Sequence, residues 1–188
     1  MSHTLLRDPR FHDFLFAADR NLAIEARIRG CPSCGGKLHS ANYFRRPRGG
    51  LFPLGLRFSF CCAAEGCRRR LTPGSLRFLA RKVYLSMVVV LASVMRNGPT
   101  PELVRELGEV VELSERTVAR WRRWWREEFA ASRFWGGLRG LLGRPVDANR
   151  LPGSLLERFA GDERSKLVDL LRSLVPITGG KGLGAQGL

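Results

Sequence analysis

Two cysteine pairs constrain this chain more than any other feature: Cys31-Pro-Ser-Cys34-Gly35 and Cys62-Ala-Ala-Glu-Gly-Cys67, with 27 residues between Cys34 and Cys62. Two thiols spaced by two residues and followed by glycine fold back on one metal ion as a knuckle. The glycine supplies the positive φ that turns backbone N–H groups towards the thiolates. A β-hairpin that brings the second pair alongside completes a tetrahedral sulfur site of the structural zinc type. The gap exceeds the usual spacing of about 15–20 residues, and the second pair is spaced by four residues rather than two. The competing reading is buried apolar thiols or disulfides. Met1 to Asp19 shows no basic start followed by an apolar run, so a reducing cytoplasm is expected, where disulfides are rare.

Cys61 and Cys62 are adjacent, and strand alternation separates them. Phe58, Phe60 and Cys62 share one face, and Arg57, Ser59 and Cys61 the other. An aromatic two positions before a ligand packs under the metal, which favours Cys62. The expected ligands are Cys31, Cys34, Cys62 and Cys67, with Cys61 and His39 as alternatives. His39 is otherwise expected on the hairpin strand, facing water or a phosphate.

The 188 residues carry a formal charge of +15, which points to a polyanionic partner, nucleic acid first. The charge is uneven: Gly30 to Lys82 holds eleven basic residues against the single acid Glu65, a local +10. An ordinary solvated surface mixes signs. A membrane is the weaker candidate, because the apolar run Val83 to Met95 has thirteen residues and a bilayer span needs roughly 18 or more.

The chain reads as mostly α with a small β zinc ribbon, in five parts: a helical segment over 1–29, the ribbon over 30–74, a helix-turn-helix domain over 75–130, helices over 131–177 and a disordered tail over 178–188. Asp8 N-caps and Pro9 starts a first, short helical segment. Strands are expected near 37–44 and 57–62, joined by the loop Arg45-Arg-Pro-Arg-Gly-Gly50, whose arginines suit phosphate. Ser75 is placed to cap a long helix from about Leu76 to Met95. Further helices are predicted over 101–109, 114–129, 132–142, 152–160 and 162–174. Five glycines in the last eleven residues mark the tail.

The stretch Glu102 to Arg126 carries a second motif. Gly108 is the small residue that lets two helices cross closely, and Leu107, Val111, Leu113, Val118 and Trp121 take buried positions. Ser114 N-caps the second helix, with Glu115 against its dipole. Residues 114 to 126 carry five Arg and one Glu. Arg116, Arg120 and Arg123 recur at i, i+4, i+7 with Thr117 beside them, a stripe suited to guanine edges and phosphates. Trp124 falls near that stripe, and at least two of Trp121, Trp124 and Trp125 are expected in the core. Glu112 stands where the turn usually takes Gly.

Through Cys31-Pro-Ser-Cys34-Gly35, Cys62…Cys67 and the helix Ser114 to Trp121, residues 31 to 128 resemble the zinc-ribbon and helix-turn-helix region of bacterial insertion-sequence transposases and their accessory proteins. That resemblance implies binding of double-stranded DNA at element ends or promoters, often as a homodimer, near the nucleoid and alongside a separate transposase subunit. The expected DNA contacts are Arg116, Thr117, Arg120 and Arg123 on the helix and Arg45, Arg46, Arg48, Arg68, Arg69 and Arg70 on the ribbon. No catalytic site is read. Seven of the 17 acids lie between Glu102 and Glu128, in a stretch predicted to be a helical hairpin, not on the strands of a two-metal nuclease. The His-x-Glu element of a zinc deaminase is absent. A zinc-stabilised adaptor for a separate transposase is the alternative from another class; a transcriptional regulator is a further one.

Overall fold

Asp8 and Pro9 start a helix, as the sequence predicts. In a computed structural model that describes residues 4–45, 55–79, 84–94, 113–143 and 145–179, helix α1 (Thr4–Arg7) leads into α2 (Pro9–Arg29). The Asp8 carboxylate accepts the Arg10 N–H at 2.9 Å, satisfying a donor that the first turn leaves orphaned. Helix α2 is 21 residues long, more than the short segment expected. It runs past two cores. Phe11 and Leu15 enter the helical core, while Ala23 and Ala26 pack with Cys31, Leu38, Phe60 and Cys62 under the ribbon.

The ribbon is antiparallel throughout. Its strands are β1 (Leu38–Ser40), β2 (Tyr43–Phe44), β3 (Leu56–Arg57), β4 (Phe60–Cys62) and β5 (Arg70–Leu71), with sheet order β1-β4-β5 and a separate pair β2-β3. Each of the two expected strands is therefore split. At the break Asn42 intrudes, its Oδ1 accepting the Ser59 N–H at 3.0 Å, while the Ser59 carbonyl takes the Ala41 N–H at 2.8 Å. The face assigned to Arg57, Ser59 and Cys61 is not solvated: Arg57 is 2% and Ser59 0% exposed.

The long helix expected from Leu76 is shorter. Helix α3 spans Ser86–Val94, and residues 76–79 are irregular. Ser75 caps a turn instead, its Oγ accepting the Arg77 and Phe78 N–H groups, both at 3.1 Å. Other bonds draw this segment away from helical geometry. Ser86 N–H donates to the Arg77 carbonyl at 2.8 Å, and Phe78 bridges Leu85. Helix α3 itself is buried on every side, from Ser86 through Ser93, as an apolar run without polar periodicity demands.

Helix α4 (Glu115–Trp124) continues into a π-helical turn (Trp125–Phe129), followed by α5 (Arg133–Leu141), a 3₁₀ turn (Ala148–Arg150), α6 (Gly153–Leu156), α7 (Glu163–Ser173) and a 3₁₀ turn (Val175–Ile177). The helix predicted over 152–160 ends at Leu156, because Arg158 and Phe159 N–H groups reach back only three residues, to Leu155 and Leu156. Trp121, Trp124 and Trp125 are all buried, so Trp124 belongs to the core and not to the arginine stripe. Trp124 and Trp125 meet edge to face at 4.9 Å, Trp125 and Phe129 at 4.7 Å, and Tyr84 meets Trp121 at 4.9 Å. Such pairs add about 0.5–1.5 kcal/mol each beyond area burial. No helix among the described residues is long and apolar enough to cross a membrane.

One buried polar knot joins the ribbon to the helices. Asp19, 1% exposed, accepts from Ser75 Oγ at 2.5 Å, Leu76 N–H at 2.6 Å and Arg77 Nε at 2.9 Å. Arg77 also donates to the Leu56 carbonyl at 2.7 Å. Arg57 donates to the carbonyls of Pro73 at 2.6 Å and Thr178 at 3.1 Å. Thr178, expected in the disordered tail, is buried, and its Oγ1 accepts the Ser75 N–H at 2.7 Å. Burial lowers the pKa of both guanidiniums, and the Asp19 charge opposes that effect.

Removing one member of this knot leaves an uncompensated buried charge. Asp19→Ala is expected to lower stability by about 3–5 kcal/mol in urea unfolding. Glu25→Ala, which breaks only an exposed pair with Arg29, should change it by less than about 0.5 kcal/mol. Equal effects from the two would remove the knot from its central place.

Candidate metal centre and basic surfaces

Each cysteine pair sits on a local turn made by glycine. After Cys31 the chain doubles back, with Gly35 N–H donating to the Cys31 carbonyl at 2.8 Å and Cys31 N–H to the Gly36 carbonyl at 2.9 Å; Gly35 has φ +69°. In the second turn Gly66 has φ +78° and Arg68 φ +43°, a left-handed conformation that costs a side-chain-bearing residue. Ladder bonds press the two turns together: Cys62 N–H donates to the Arg69 carbonyl and Ala63 N–H to the Lys37 carbonyl, both at 2.9 Å.

The result is a cluster of Cys31, Cys34, Cys62 and Cys67 sulfurs, all within 4.8 Å of one another. Cys31 and Cys67 Sγ are 3.7 Å apart, Cys34 and Cys62 Sγ 3.4 Å. These separations are too long for disulfides, whose S–S bond is about 2.05 Å. A tetrahedron with metal–sulfur bonds of about 2.3 Å has edges of about 3.8 Å, so the donor set fits one metal ion. Gly36 supports that fit, since a Cβ there would lie 3.2 Å from Cys62 Sγ and 3.3 Å from Cys34 Sγ. The two knuckles need that space.

Register decides between the adjacent cysteines. Leu38 pairs with Cys62 and His39 with Cys61, so His39 and Cys61 share the opposite side of the strand pair. Cys61 Sγ lies 3.4 Å from the Arg68 carbonyl, outside the sulfur cluster. His39 is exposed. Phe60, two residues before Cys62, is buried as expected.

The thiols are electrostatically unequal. The Ser33 N–H, and after it that of Cys34, pull the Cys31 thiol down to about 6 against the effect of burial. The Ala64 N–H favours the Cys62 thiolate, yet burial and the Cys34, Cys67 and Cys31 sulfurs together push it up to about 12. A bound cation reverses that crowding by stabilising all four thiolates, so binding releases protons and weakens as pH falls.

The arginines are not equivalent. Arg57 and Arg77, counted above among the ribbon's basic residues, are buried in the polar knot. Arg45, Arg69 and Arg70 are occupied within the ribbon. Arg45 N–H donates to the Gly55 carbonyl at 2.7 Å and its guanidinium lies 5.3 Å from the Phe78 ring centroid. Arg69 donates to Ser33 Oγ at 3.0 Å, and Arg70 to Ser59 Oγ at 3.0 Å and the Ala41 carbonyl at 2.9 Å. Arg68 is exposed beside them. Arg46 and Arg48 lie outside the described residues, as do Gly108, Leu107, Val111 and the rest of the expected first helix of the helix-turn-helix.

The second helix of that motif is α4. Ser114 Oγ caps it, accepting the Thr117 N–H at 3.3 Å. Val118, Trp121 and Trp124 face the core, which leaves Arg116, Arg120 and Arg123 exposed. Arg123 comes only to 4.0 Å from Glu127, and Thr117 is half-buried, with its Oγ1 3.0 Å from Ser114 Oγ. Sequence reasoning missed Arg122 and Arg126, which line a cleft with Arg150; their i, i+4 spacing was a visible signal. Comparison with protein families, curated proteins and solved structures finds no match to this chain.

Purified protein is expected to contain about one metal ion per chain, and chelation should unfold the ribbon. Cys61→Ser should keep the metal and Cys62→Ser should lose it, measured as metal content per chain. The reverse result would move the ligand to Cys61.

Proposed function

We propose that the chain is a zinc-stabilised, double-stranded-DNA-binding protein of a mobile genetic element, with no catalytic role of its own. The observation that carries this reading is the exposed stripe Arg116, Arg120 and Arg123 on a helix whose opposite side is fixed by buried Val118, Trp121 and Trp124. A rigid helix with one arginine face can enter a major groove, where guanidinium forks reach guanine edges and phosphates. The metal of the cysteine cluster is read as zinc, because four thiolates at tetrahedral spacing are the donor set of structural zinc. The ribbon then supplies backbone contacts through Arg68, Arg69 and Arg70. The mobile-element assignment, and with it a homodimer near the nucleoid, rests on the resemblance of residues 31 to 128 to transposase DNA-binding regions.

A protein-adaptor reading has one specific observation behind it. Ile24 and Ile28, one turn apart on α2, are 47% and 80% exposed, an apolar pair suited to a separate transposase subunit.

The two kinds of arginine separate experimentally. Arg120→Ala should cost about 1–3 kcal/mol on a selected duplex and relax discrimination there. Arg69→Ala should weaken every duplex alike and lower the salt slope by about one. Binding to selected and scrambled duplexes across a salt series measures both. Equal losses on both duplexes for Arg120→Ala would make α4 an anchor and not a reader. No effect from either change would favour the adaptor.

A further inference from the structure

A cleft of about 500 Å³ opens between the end of α3, the junction of α4 with the π-helical turn, and the segment around the 3₁₀ turn Ala148–Arg150. Its lining includes Arg122, Arg126, Asn149, Arg150, Leu151 and Glu157. Among the described residues the lining has three guanidiniums and one carboxylate, a net charge of +2. The carboxylate is engaged: Arg150 donates to Glu157 Oε1 at 2.7 Å. The volume lies in the range of small-molecule sites, which run from about 300 to 1,000 Å³.

These arginines are distinct from the α4 stripe. At about 100° per residue, Arg122 projects at least about 100° around α4 from Arg116, Arg120 and Arg123, and Arg126, in the π-helical turn, lines the same cleft. The π-helical turn Trp125–Phe129 begins between Arg122 and Arg126 and resets the register of the second relative to the first. Such turns occur disproportionately at functional sites. The core fixes this register, since Trp125 and Phe129 are both fully buried. Burial, and then the neighbouring Arg126 charge, lower the pKa of Arg122.

We infer that this cleft binds a phosphate monoester, held by the guanidiniums of Arg122 and Arg126, with its organic body against Leu151. Charge selects the class. A phosphate monoester carries about −1.5 to −2 at pH 7, which matches the lining. A carboxylate or a phosphodiester carries only one charge and leaves the excess standing. Planar guanidiniums also fit phosphate oxygens bidentately. Asn149 adds an amide at the rim, and Glu157, held by Arg150, repels an anion placed on its side. The phosphate is thereby directed towards Arg122 and Arg126.

This inference does not rest on the DNA-binding reading. Isothermal titration of the full chain at constant ionic strength tests it, with AMP, cyclic AMP, glucose 6-phosphate and inorganic phosphate as probes. AMP is expected to bind saturably and cyclic AMP, its monoanionic diester, at least roughly tenfold more weakly. Arg126→Gln, a change at an exposed position, should weaken AMP roughly tenfold or more without shifting the unliganded melting temperature, whereas Arg120→Ala should leave AMP binding unchanged. Tighter binding of AMP than of glucose 6-phosphate would identify a nucleotide, and the opposite order a sugar phosphate. Both outcomes keep the site. A duplex that binds better with a 5′-phosphate than without one, and loses that gain in Arg126→Gln, would name a strand terminus as the source of the monoester. The proposal is overturned if neither AMP nor inorganic phosphate binds saturably, if cyclic AMP binds as well as AMP, or if Arg120→Ala weakens AMP as much as Arg126→Gln does.

Discussion

The contact between Asp19 and the segment Ser75 to Arg77 is the constraint on which the rest of this structure depends. A carboxylate 1% exposed forfeits several kcal/mol of hydration, and only the three donors converging on it offset that loss. Those donors belong to the chain just as it leaves the ribbon, while Asp19 belongs to a helix that precedes it. Arg77 then reaches the Leu56 carbonyl on β3, and Thr178 closes the ring from the far end of the chain. Four segments distant in sequence are thereby fixed against one another. The ribbon is not an independent bead on a linker, because its β3 strand and its exit are both held by groups of the helical body.

That arrangement explains why a metal ion suits the remainder of the ribbon. Among the described residues, its own core has Ala23, Ala26, Cys31, Leu38, Phe60 and Cys62 as buried members, too little apolar surface to hold two glycine turns in place. Small units of this kind need a staple. The four sulfurs sit at the opposite end of α2 from Phe11 and Leu15, so the polar knot and the cysteine cluster secure two ends of one hairpin. Arg68, held at φ +43°, shows how tightly the second turn is drawn.

What was legible in the residues was mainly local. Asp8 and Ser114 read correctly as caps because capping is decided within three residues. The choice of Cys62 over Cys61 followed from strand alternation, and the burial of at least two of Trp121, Trp124 and Trp125 from helical spacing, which set Trp124 near the arginines although it is buried. The failures share a different cause. Ser75 followed by apolar residues is a helix start by local rules, yet its hydroxyl is bonded to Asp19, 56 positions away. Arg57 and Arg77 looked like surface charges because nothing near them in sequence is acidic; their partners are carbonyls and one carboxylate brought in by the fold. Thr178 looked like tail for the same reason, since the groups that bury it lie over a hundred residues earlier. The proposed first helix of the helix-turn-helix falls outside the described residues, and only α4, the second, has an observed geometry.

A basic chain is easily read as a uniform polyanion receptor, and the distribution here argues against that. Of the eleven basic residues between Gly30 and Lys82, Arg57 and Arg77 are buried within the protein, and Arg45, Arg69 and Arg70 spend their guanidiniums or backbone groups on ribbon partners. Those guanidiniums can still meet a phosphate, but they are oriented by the protein first. On α4 the opposite holds. The helix divides into a tryptophan face packed in the core, a stripe of Arg116, Arg120 and Arg123 in solvent, and a third edge where Arg122 and Arg126 border a cleft. One helix can present two arginine sets to two environments only if its rotation is fixed, and a weakly packed helix would average them into one diffuse charge. The mutual ring contacts of Trp124, Trp125 and Phe129, two edge to face and one tilted, prevent that averaging. The aromatic core is therefore what turns a charge excess into two separate arginine surfaces.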